Sequence, residues 1–574
     1  MASLVSEDSF LIQRTDQKIA KEVPHSGIGA PLGDPTYRRI WSSSLLSNLG
    51  QQMQAVAAAW AMLQLTGEPD LVALVQTAAM LPVMLLAITA GALADMYDRR
   101  RVAMAALFLC LSGAAILAVV TAAGHISPTL ILFGMFVTGT GIALYTPAWQ
   151  ASAAELVGVK ALPAAIALFA MSSNAARTIG PAVGGFVIAS VGLVAAFSIN
   201  AVLYLPIIVA LFLWKREARS PRLPPERLGQ AMLVGLRYVR HSPPMRRVIL
   251  RAFFTSAGGV AIYAMLPFVA KTTLGGGPRT YGFLLGGFGL GAVVFAALTN
   301  KLQNKFSPEI IVVVCSLVLA GALFVAAFSP IVVVTVLAMV AAGGAWMMSI
   351  STYNISIQLA SPRWVSGRAL AAFQAAVAGG MALGAALWGI LADEYGIVIS
   401  MVAAGSFLLA TAFFGLFAGL RKPVAAEAGP SPSSDPLVQV ALNGRSGPLV
   451  IEIEYCVRVS DAREFYQAMR DVRRSRERNG AFAATLMRDI SNPEIWLEKF
   501  IFPTWNDYLR ARDRPTAEDR IYRDRAVVFH SGDDQPNIRR YLERPTGSVL
   551  WREDIMDPGE ALPVRVTLTA LGSH

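Results

Sequence analysis

Arg177 lies inside a long apolar run, 162–190, with Asn174 one helical turn before it. A cation at that depth costs about 2.5–3.5 kcal/mol on membrane-insertion scales, so it is expected to face a cavity. There it would bind an anion or respond to a partner that carries a proton. Hydrogen bonding to neighbouring carbonyls is the structural alternative. Asn48, Gln52, Tyr145, Asn354 and Gln358 interrupt other apolar runs and could line the same path. Taken singly, each reads as glue between helices. Carboxylates stand only near the ends of runs, at Asp95, Glu155 and Asp393. If a proton is carried, Asp95 or Glu155 is the titrating group by elimination.

Two motifs concern movement rather than binding. The first is Gly91-Ala92-Leu93-Ala94-Asp95-Met96-Tyr97-Asp98-Arg99-Arg100-Arg101. Gly91 and Leu93 would sit at a close helix approach. The Asp95 carboxylate would latch one conformation by binding helix N-termini and arginines such as Arg99 and Arg100. The second is Gly180-Pro181-Ala182-Val183-Gly184-Gly185. Pro181 frees a carbonyl, and Gly180, Gly184 and Gly185 let a kinked helix pack tightly on a neighbour. Gly287-Phe288-Gly289-Leu290-Gly291 falls inside an apolar run with no strand before it, so it reads as helix packing and not as a nucleotide loop. The sequence has no Gly-Lys-Ser/Thr phosphate-loop signature, which argues against ATP as the energy source.

These residues need long apolar elements to position them. The chain is 55% hydrophobic and only 15% charged, against about a quarter charged in soluble domains. Its mean hydropathy is +0.51. The net charge of +11 does not indicate nucleic acid, because the basic residues sit in short segments between apolar runs. Cys110, Cys315 and Cys456 are far apart, so neither a disulfide framework nor a metal site is expected, and no cofactor is called for. With about 20 residues needed per crossing, the spacing predicts helices near 40–65, 71–94, 102–123, 128–151, 162–190 and 193–214. Six more are predicted near 250–270, 280–302, 309–328, 331–358, 369–392 and 397–420.

The expected fold class is therefore an all-α membrane protein: twelve transmembrane helices in two six-helix halves, plus a small C-terminal α+β domain. Lys and Arg concentrate on one side, at Arg99–Arg101, Lys160, Lys215 to Arg247, Lys301, Lys305, Arg363, Arg368, Arg421 and Lys422. The other side holds little beyond Lys271 and Arg279. The basic side is thus expected to be cytoplasmic, together with both termini. The polar start, 1–37, lacks the apolar core of a signal peptide. Halves are expected at 38–214 and 250–422. Between them, 215–249 carries Leu228, Met232, Leu236 and Val239 at helical spacing among arginines, the pattern of an amphipathic surface helix, with a solvated basic linker as the alternative. Gly180, Gly185 and Gly192 recur as Gly384, Gly389 and Gly396 at a constant offset of 204 residues, and Asp95 is matched by Asn300. Two related halves would leave such a trace.

After Arg421 a Pro/Ala/Gly/Ser-rich stretch, 423–447, reads as a linker. Domain 448–545 follows, with strands at Val450–Val457, Phe482–Asp489 and Ile495–Pro503, a helix at Ala462–Arg478 and a helical region from Trp505 to His530. A tail, 546–574, closes the chain.

The loop motif at Gly91–Arg101 and the kink motif at Gly180–Gly185 resemble those of the major facilitator superfamily. Asn48-Leu49-Gly50, Pro147-Ala148-Trp149-Gln150-Ala151 and Gly367-Arg368-Ala369 look like its siderophore-exporter-like branch, the transmembrane secretion effectors. The resemblance covers about 40–420. It implies a transporter that works by alternating access, exporting a small amphipathic or siderophore-like molecule at the expense of a proton gradient. Met96 and Asp98 depart from the usual Arg and Gly of the loop motif, and the arginine often placed early in the fourth helix is absent. The tail domain resembles ferredoxin-like, antibiotic-monooxygenase-type α+β barrels, which commonly dimerise; dimerisation through this domain is an expectation. Trp496, Asn506 and His530 are the residues to ask about there. The favoured reading is a non-catalytic docking or regulatory module, and a membrane-tethered enzyme is the alternative. The partners expected are the lipid bilayer, a small-molecule substrate and protons, with no nucleic acid.

Overall fold

The computed structural model describes residues 29–157, 162–214, 237–361, 363–417, 419, 442, 444–513, 517–532 and 535–543. They fall into two compact units.

The first unit is helical. Its first half holds α1 (Pro35–Leu65), α2 (Pro69–Met96), α3 (Arg99–Ala122), α4 (Pro128–Leu156), α5 (Leu162–Val191), α6 (Leu193–Leu203) and α7 (Leu205–Leu213). Its second half holds α8 (Pro243–Gly259), α9 (Ala261–Phe268), α10 (Pro278–Lys305), α11 (Pro308–Phe328), α12 (Val332–Ala360), α13 (Arg363–Tyr395) and α14 (Ile397–Phe417). Proline opens many of these helices, where its missing N–H costs nothing. Before α1, Asp34 adds a side-chain cap, accepting from Thr36 N at 2.7 Å and Tyr37 N at 2.8 Å.

Nine helical segments among the described residues are long and apolar enough to cross a membrane, α6–α7 and α8 to Thr273 each counting as one. The stretch Ile397–Phe413 of α14 is apolar as well. α1 and α5 are long but carry polar rows: Ser42, Ser43, Ser44, Ser47, Asn48, Gln51, Gln52 and Gln54 in one, Ser172, Ser173, Asn174 and Arg177 in the other. The sequence expectation for α8 needs correction. It begins at Pro243 and not near 250, because Met245 and Val248 are buried and continue the packed face. Leu228, Met232 and Leu236 of the expected amphipathic helix lie outside the described residues; residues 237–241 are helical.

The glycine repeat has a structural counterpart. Gly192 and Gly396 both adopt left-handed backbone, φ +96° and +91°, in the turns after α5 and α13. Gly180 packs within its own half, where an added Cβ would stand 2.6 Å from Gln52 Cβ of α1. Gly384 packs likewise against the backbone of Ala257 on α8. Gly185 and Gly389 face the opposite half, at Pro278 of α10 and Asp70 of α2 respectively. Each repeated glycine therefore does the same job twice.

The second unit contains an antiparallel sheet of β1 (Leu449–Cys456), β2 (Phe482–Arg488), β3 (Ile495–Phe502) and β4 (Asn537–Leu542), in the order β2-β3-β1-β4. Helices α15 (Ala462–Arg478), α16 (Trp505–Asp513) and α17 (Ala517–Val527) accompany it. Phe465, Met469 and Val472 of α15 bury with Tyr455, Trp496 and Phe500 of the sheet. Strand β4 was not expected from sequence: five of its six residues are exposed, so it lacks apolar alternation. The single helical region expected at Trp505–His530 is two helices.

Candidate functional site

The two halves meet at the ends of their helices that lie opposite the basic loops. Trp60 of α1 stacks on Tyr281 of α10 with ring centroids 6.2 Å apart. Arg279 donates to Ser190 Oγ at 3.4 Å and lies 5.5 Å over the Phe186 ring. A buried apolar cluster draws on both halves there, including Trp60, Ile188, Leu284 and Ala385. At the basic ends, the cluster around Ile40, Leu107, Trp149 and Leu211 comes from the first half alone.

Between α5 and α10 the contact is made by small residues. An added Cβ on Gly185 would stand 2.5 Å from the Pro278 carbonyl oxygen, and one on Gly282 would stand 2.8 Å from that of Pro181. Gly286 meets Ala182, and Gly289 lies directly on the backbone of Arg177 and Thr178. Gly282, Gly286 and Gly289 follow helical spacing on one face of α10, which lets the backbones approach closely. The sequence points to the α5 side and, on α10, to Gly289 within the Gly287–Gly291 run, but not to Gly282 or Gly286. The signal for the α10 side was the i, i+4, i+7 glycine spacing. Gly184 turns away to α1, with a Cβ clearance of 3.0 Å to Met53 Cα, as does Gly180. The motif from Gly180 to Gly185, broken by Pro181, thus joins one helix to two neighbours in different halves.

Arg177 sits at the foot of this seam with an exposed side chain. Gly289 of α10, in the other half, lies on its backbone, and Phe288 beside that glycine packs on Tyr263 of α9. The Tyr263 ring packs edge-on to Phe288 at 5.2 Å and to Trp346 at 6.5 Å, so an aromatic cluster of one half lies beside the helix turn that carries Arg177 of the other. Such a pairing suits a small anionic or aromatic solute. Asn174 is half-buried and its carbonyl accepts from Thr178 Oγ1 at 3.0 Å. Asn48 donates to Ser172 Oγ at 3.3 Å, tying α1 to α5 one turn nearer the basic ends. Gln52 packs on Gly180.

The remaining path candidates fall elsewhere. Asn354 and Gln358 hydrogen-bond to each other along α12. The Tyr145 hydroxyl is buried inside the first half, where Cys110 and Tyr204 are its neighbours, so it does not line the seam. Two polar groups escaped sequence reading. Buried Gln54 accepts from Asn200 and donates to Thr138 Oγ1 at 3.0 Å, locking α1, α4 and α6 together. In the second half Arg251 of α8 pairs with Glu309 of α11, with side chains 11% and 18% exposed. Their wide separation in sequence hid both.

In the loop motif, Asp98 caps α3, accepting from Arg100 N at 2.9 Å and Arg101 N at 3.3 Å. Arg99 reaches back to the Ala94 carbonyl at 3.3 Å, and Arg100 reaches the Phe212 carbonyl and lies 5.9 Å over its ring. Leu93 is half-buried, its carbonyl accepting from Tyr97 N at 3.0 Å. Gly91 departs from expectation: an added Cβ would meet nothing within 4 Å among the described residues, so none of these approaches it closely. The side chains of Asp95 and Glu155 lie outside the described residues.

In the second unit, Trp496 and His530 flank one aromatic group. Trp496 packs edge-on to Phe465 at 5.6 Å, and His530 lies 6.5 Å from Tyr455. Asn506 is in a different place, its N–H donating to the Gly444 carbonyl at 3.1 Å. The three residues do not assemble into one site. His530 Nδ1 accepts from the Cys456 backbone N–H at 2.9 Å.

A family profile described as "Transmembrane secretion effector" matches residues 26–546, so the match runs past the helices and through the C-terminal sheet. Multidrug efflux pump Tap of Mycobacterium tuberculosis H37Rv is 26% identical over 407 residues, 68% of this chain and 94% of that protein. Enterobactin exporter EntS of Shigella flexneri is 26% identical over 326 residues, 56% of this chain and 76% of its own. Among solved structures, a D-xylose–proton symporter superposes with a TM-score of 0.54 at 14% identity, covering 66% of this chain and 96% of that one; that likeness shows the fold.

Proposed function

The chain belongs to the transmembrane secretion effector family of major facilitator transporters, and on that premise we propose that it is a twelve-helix, proton-driven exporter of a small amphipathic, drug- or siderophore-like molecule. It sits in the inner membrane with both termini cytoplasmic, as the basic loops favour. Its halves alternate access to a site beside Arg177.

The observation that carries this reading is the position of the contacts between the halves. They lie at the ends opposite the basic loops, through the Gly185–Gly282 seam, while the apolar cluster at the basic ends belongs to one half. That is the geometry of a carrier open toward its basic side. Closing it requires the small-residue seam to part, which the narrow contact of glycines makes inexpensive. Arg177, with the Tyr263 aromatic cluster, is the substrate site, and Asp95 or Glu155 carries the proton. The C-terminal unit is a ferredoxin-like, non-catalytic module. Two relatives are named for multidrug efflux and enterobactin export, which supports the substrate class.

Everted membrane vesicles test the proposal. A panel of cationic dyes, catechol chelators and citrate-type chelators is offered with and without a pH gradient. Accumulation of at least one probe that collapses with the gradient is expected. Accumulation of none, or uptake unaffected by the gradient, overturns the proton-driven export reading.

A further inference from the structure

The second compact unit contains a piece of chain from far away in sequence. Residues 237–243, which lead into α8, group with the C-terminal sheet and helices and not with the helical bundle. Tyr238 is 1% exposed, and Arg478 of α15 lies over its ring, 5.4 Å from the centroid. Arg478 is itself only 4% exposed. It donates to Glu518 Oε2 at 2.7 Å and to Asp519 at the start of α17. Asp519 is held from behind by Ser475 Oγ at 2.6 Å and Asn479 Nδ2 at 3.1 Å. Glu518 and Asp519 thus fix the cation, which presents a flat face to an aromatic ring.

A second contact adds direction. Arg237 donates to the Gly480 carbonyl at 3.2 Å, immediately beyond the C-terminal end of α15. Gly480 ends that helix with φ +104°. The end of a helix carries partial negative charge, so a guanidinium is favoured there. Burial pushes the Tyr238 phenol pKa above its ordinary value, against the lowering effect of the Arg478 charge, as expected for a ring withdrawn from water.

We infer that the end of α15 and the start of α17 form a docking site whose occupant is the chain's own segment 237–243, and that release of this segment shifts the balance between the bundle's arrangements. The second part rests on the alternating-access reading above. Ser242 alone separates the helical residues 237–241 from Pro243, the first residue of α8. The backbone of Arg363 and Trp364, at the start of α13, belongs to the same unit. α13 in turn meets α2 of the opposite half, where Thr77 Oγ1 donates to the Ala382 carbonyl at 2.9 Å. The second unit thus includes the residues that lead into α8 and the first two residues of α13. The docked segment accompanies an arrangement closed opposite the basic loops. A contact made in one arrangement and weakened in another favours the first by the difference between them.

The test uses the full-length chain reconstituted in liposomes. Trypsin cleavage after Arg240 reports docking. Tyr238→Ala is expected to speed cleavage about tenfold, whereas Tyr238→Phe, which keeps the ring under Arg478, stays within about twofold of the native rate. Equal rates for the native chain and the Ala variant overturn the docking site. Should Tyr238→Ala also melt the domain, Arg237→Ala must still accelerate cleavage; no acceleration there overturns it equally.

Coupling is read from spin labels at Glu68→Cys and Pro330→Cys, in loops of the first and second halves opposite the basic side, with Cys456→Ser as background. Tyr238→Ala should enlarge the long-distance population about threefold. An unchanged distribution overturns the coupling and leaves docking to the trypsin result. A native chain with one distance at every pH and with every vesicle probe refutes alternating access instead, so the two failures are distinguishable.

Discussion

Gly185 of α5 lies against Gly282 of α10: a Cβ added to the first would stand 2.9 Å from Cα of the second, and one added to the second 3.1 Å from Cα of the first. Neither position has room for a side chain unless the halves separate. Gly185→Leu and Gly282→Leu should each leave insertion intact and reduce transport to below about a tenth of the native rate. Gly184→Leu, which presses on Met53 within one half, should act the same way through a distorted α5. Vesicle uptake normalised to inserted protein checks this. Native rates in all three would remove the seam from the mechanism.

Arg177 is predicted to act on substrate and not on stability. Arg177→Lys keeps the charge but loses the planar fork, and should lower the rate per folded molecule partly; Arg177→Ala should lower it nearly completely. Expression and melting temperature should be unchanged in both. A destabilised Ala variant that transports normally would assign Arg177 a structural role.

Asp98 caps α3 through two backbone N–H groups. Asp98→Ala should cost about 0.5–2 kcal/mol of stability, and Asp98→Asn, which keeps an accepting oxygen, clearly less. Thermal unfolding in detergent measures the difference. Equal melting of both variants and the native chain would mean the cap contributes nothing.

In the second unit Glu498 is 3% exposed and accepts from Arg476 Nε at 3.0 Å and Tyr455 OH at 3.2 Å. Removing its charge strands Arg476. Glu498→Gln should destabilise this unit by about 3 kcal/mol, the lower part of the range for a broken buried pair because Arg476 is a quarter exposed. Loss of its cooperative melting transition to lower temperature, with the helical bundle unaffected, is the expected calorimetric result.

Topology has its own check. A reporter fused after His574 should be active only where a cytoplasmic marker works. Activity of a periplasm-dependent reporter there would reverse the orientation drawn from Lys and Arg.

Much of this protein was legible in one dimension because membrane-type helices advertise themselves. Long apolar runs, proline starts and lopsided basic loops mark most helix ends within a few residues. The repeat of Gly180, Gly185 and Gly192 at Gly384, Gly389 and Gly396 carried the two-half organisation, since a glycine needed for a left-handed turn or a close approach leaves a letter that few residues can replace. Helix α15 is legible at Ala462–Arg478, whereas β4 is not, because an exposed strand shows no alternation to detect.

What joins distant segments was decided only in three dimensions. Neither the pairing of Arg251 with Glu309 nor the bonding of Gln54 to Asn200 has a local signature, because each satisfies a buried polar group with whatever the fold brings near. Tyr145 reads in sequence like Gln52, yet its hydroxyl turns into the first half; helix rotation, not residue type, chose. Arg473–Arg478 resembles a solvated basic face, but the turn of α15 that buries Val472 and Ser475 also buries Arg478, leaving Arg473 and Arg474 outside. Sequence determines which residues can serve at such places. Packing determines which of them do, because a side chain's partner is set by the surface it is turned toward.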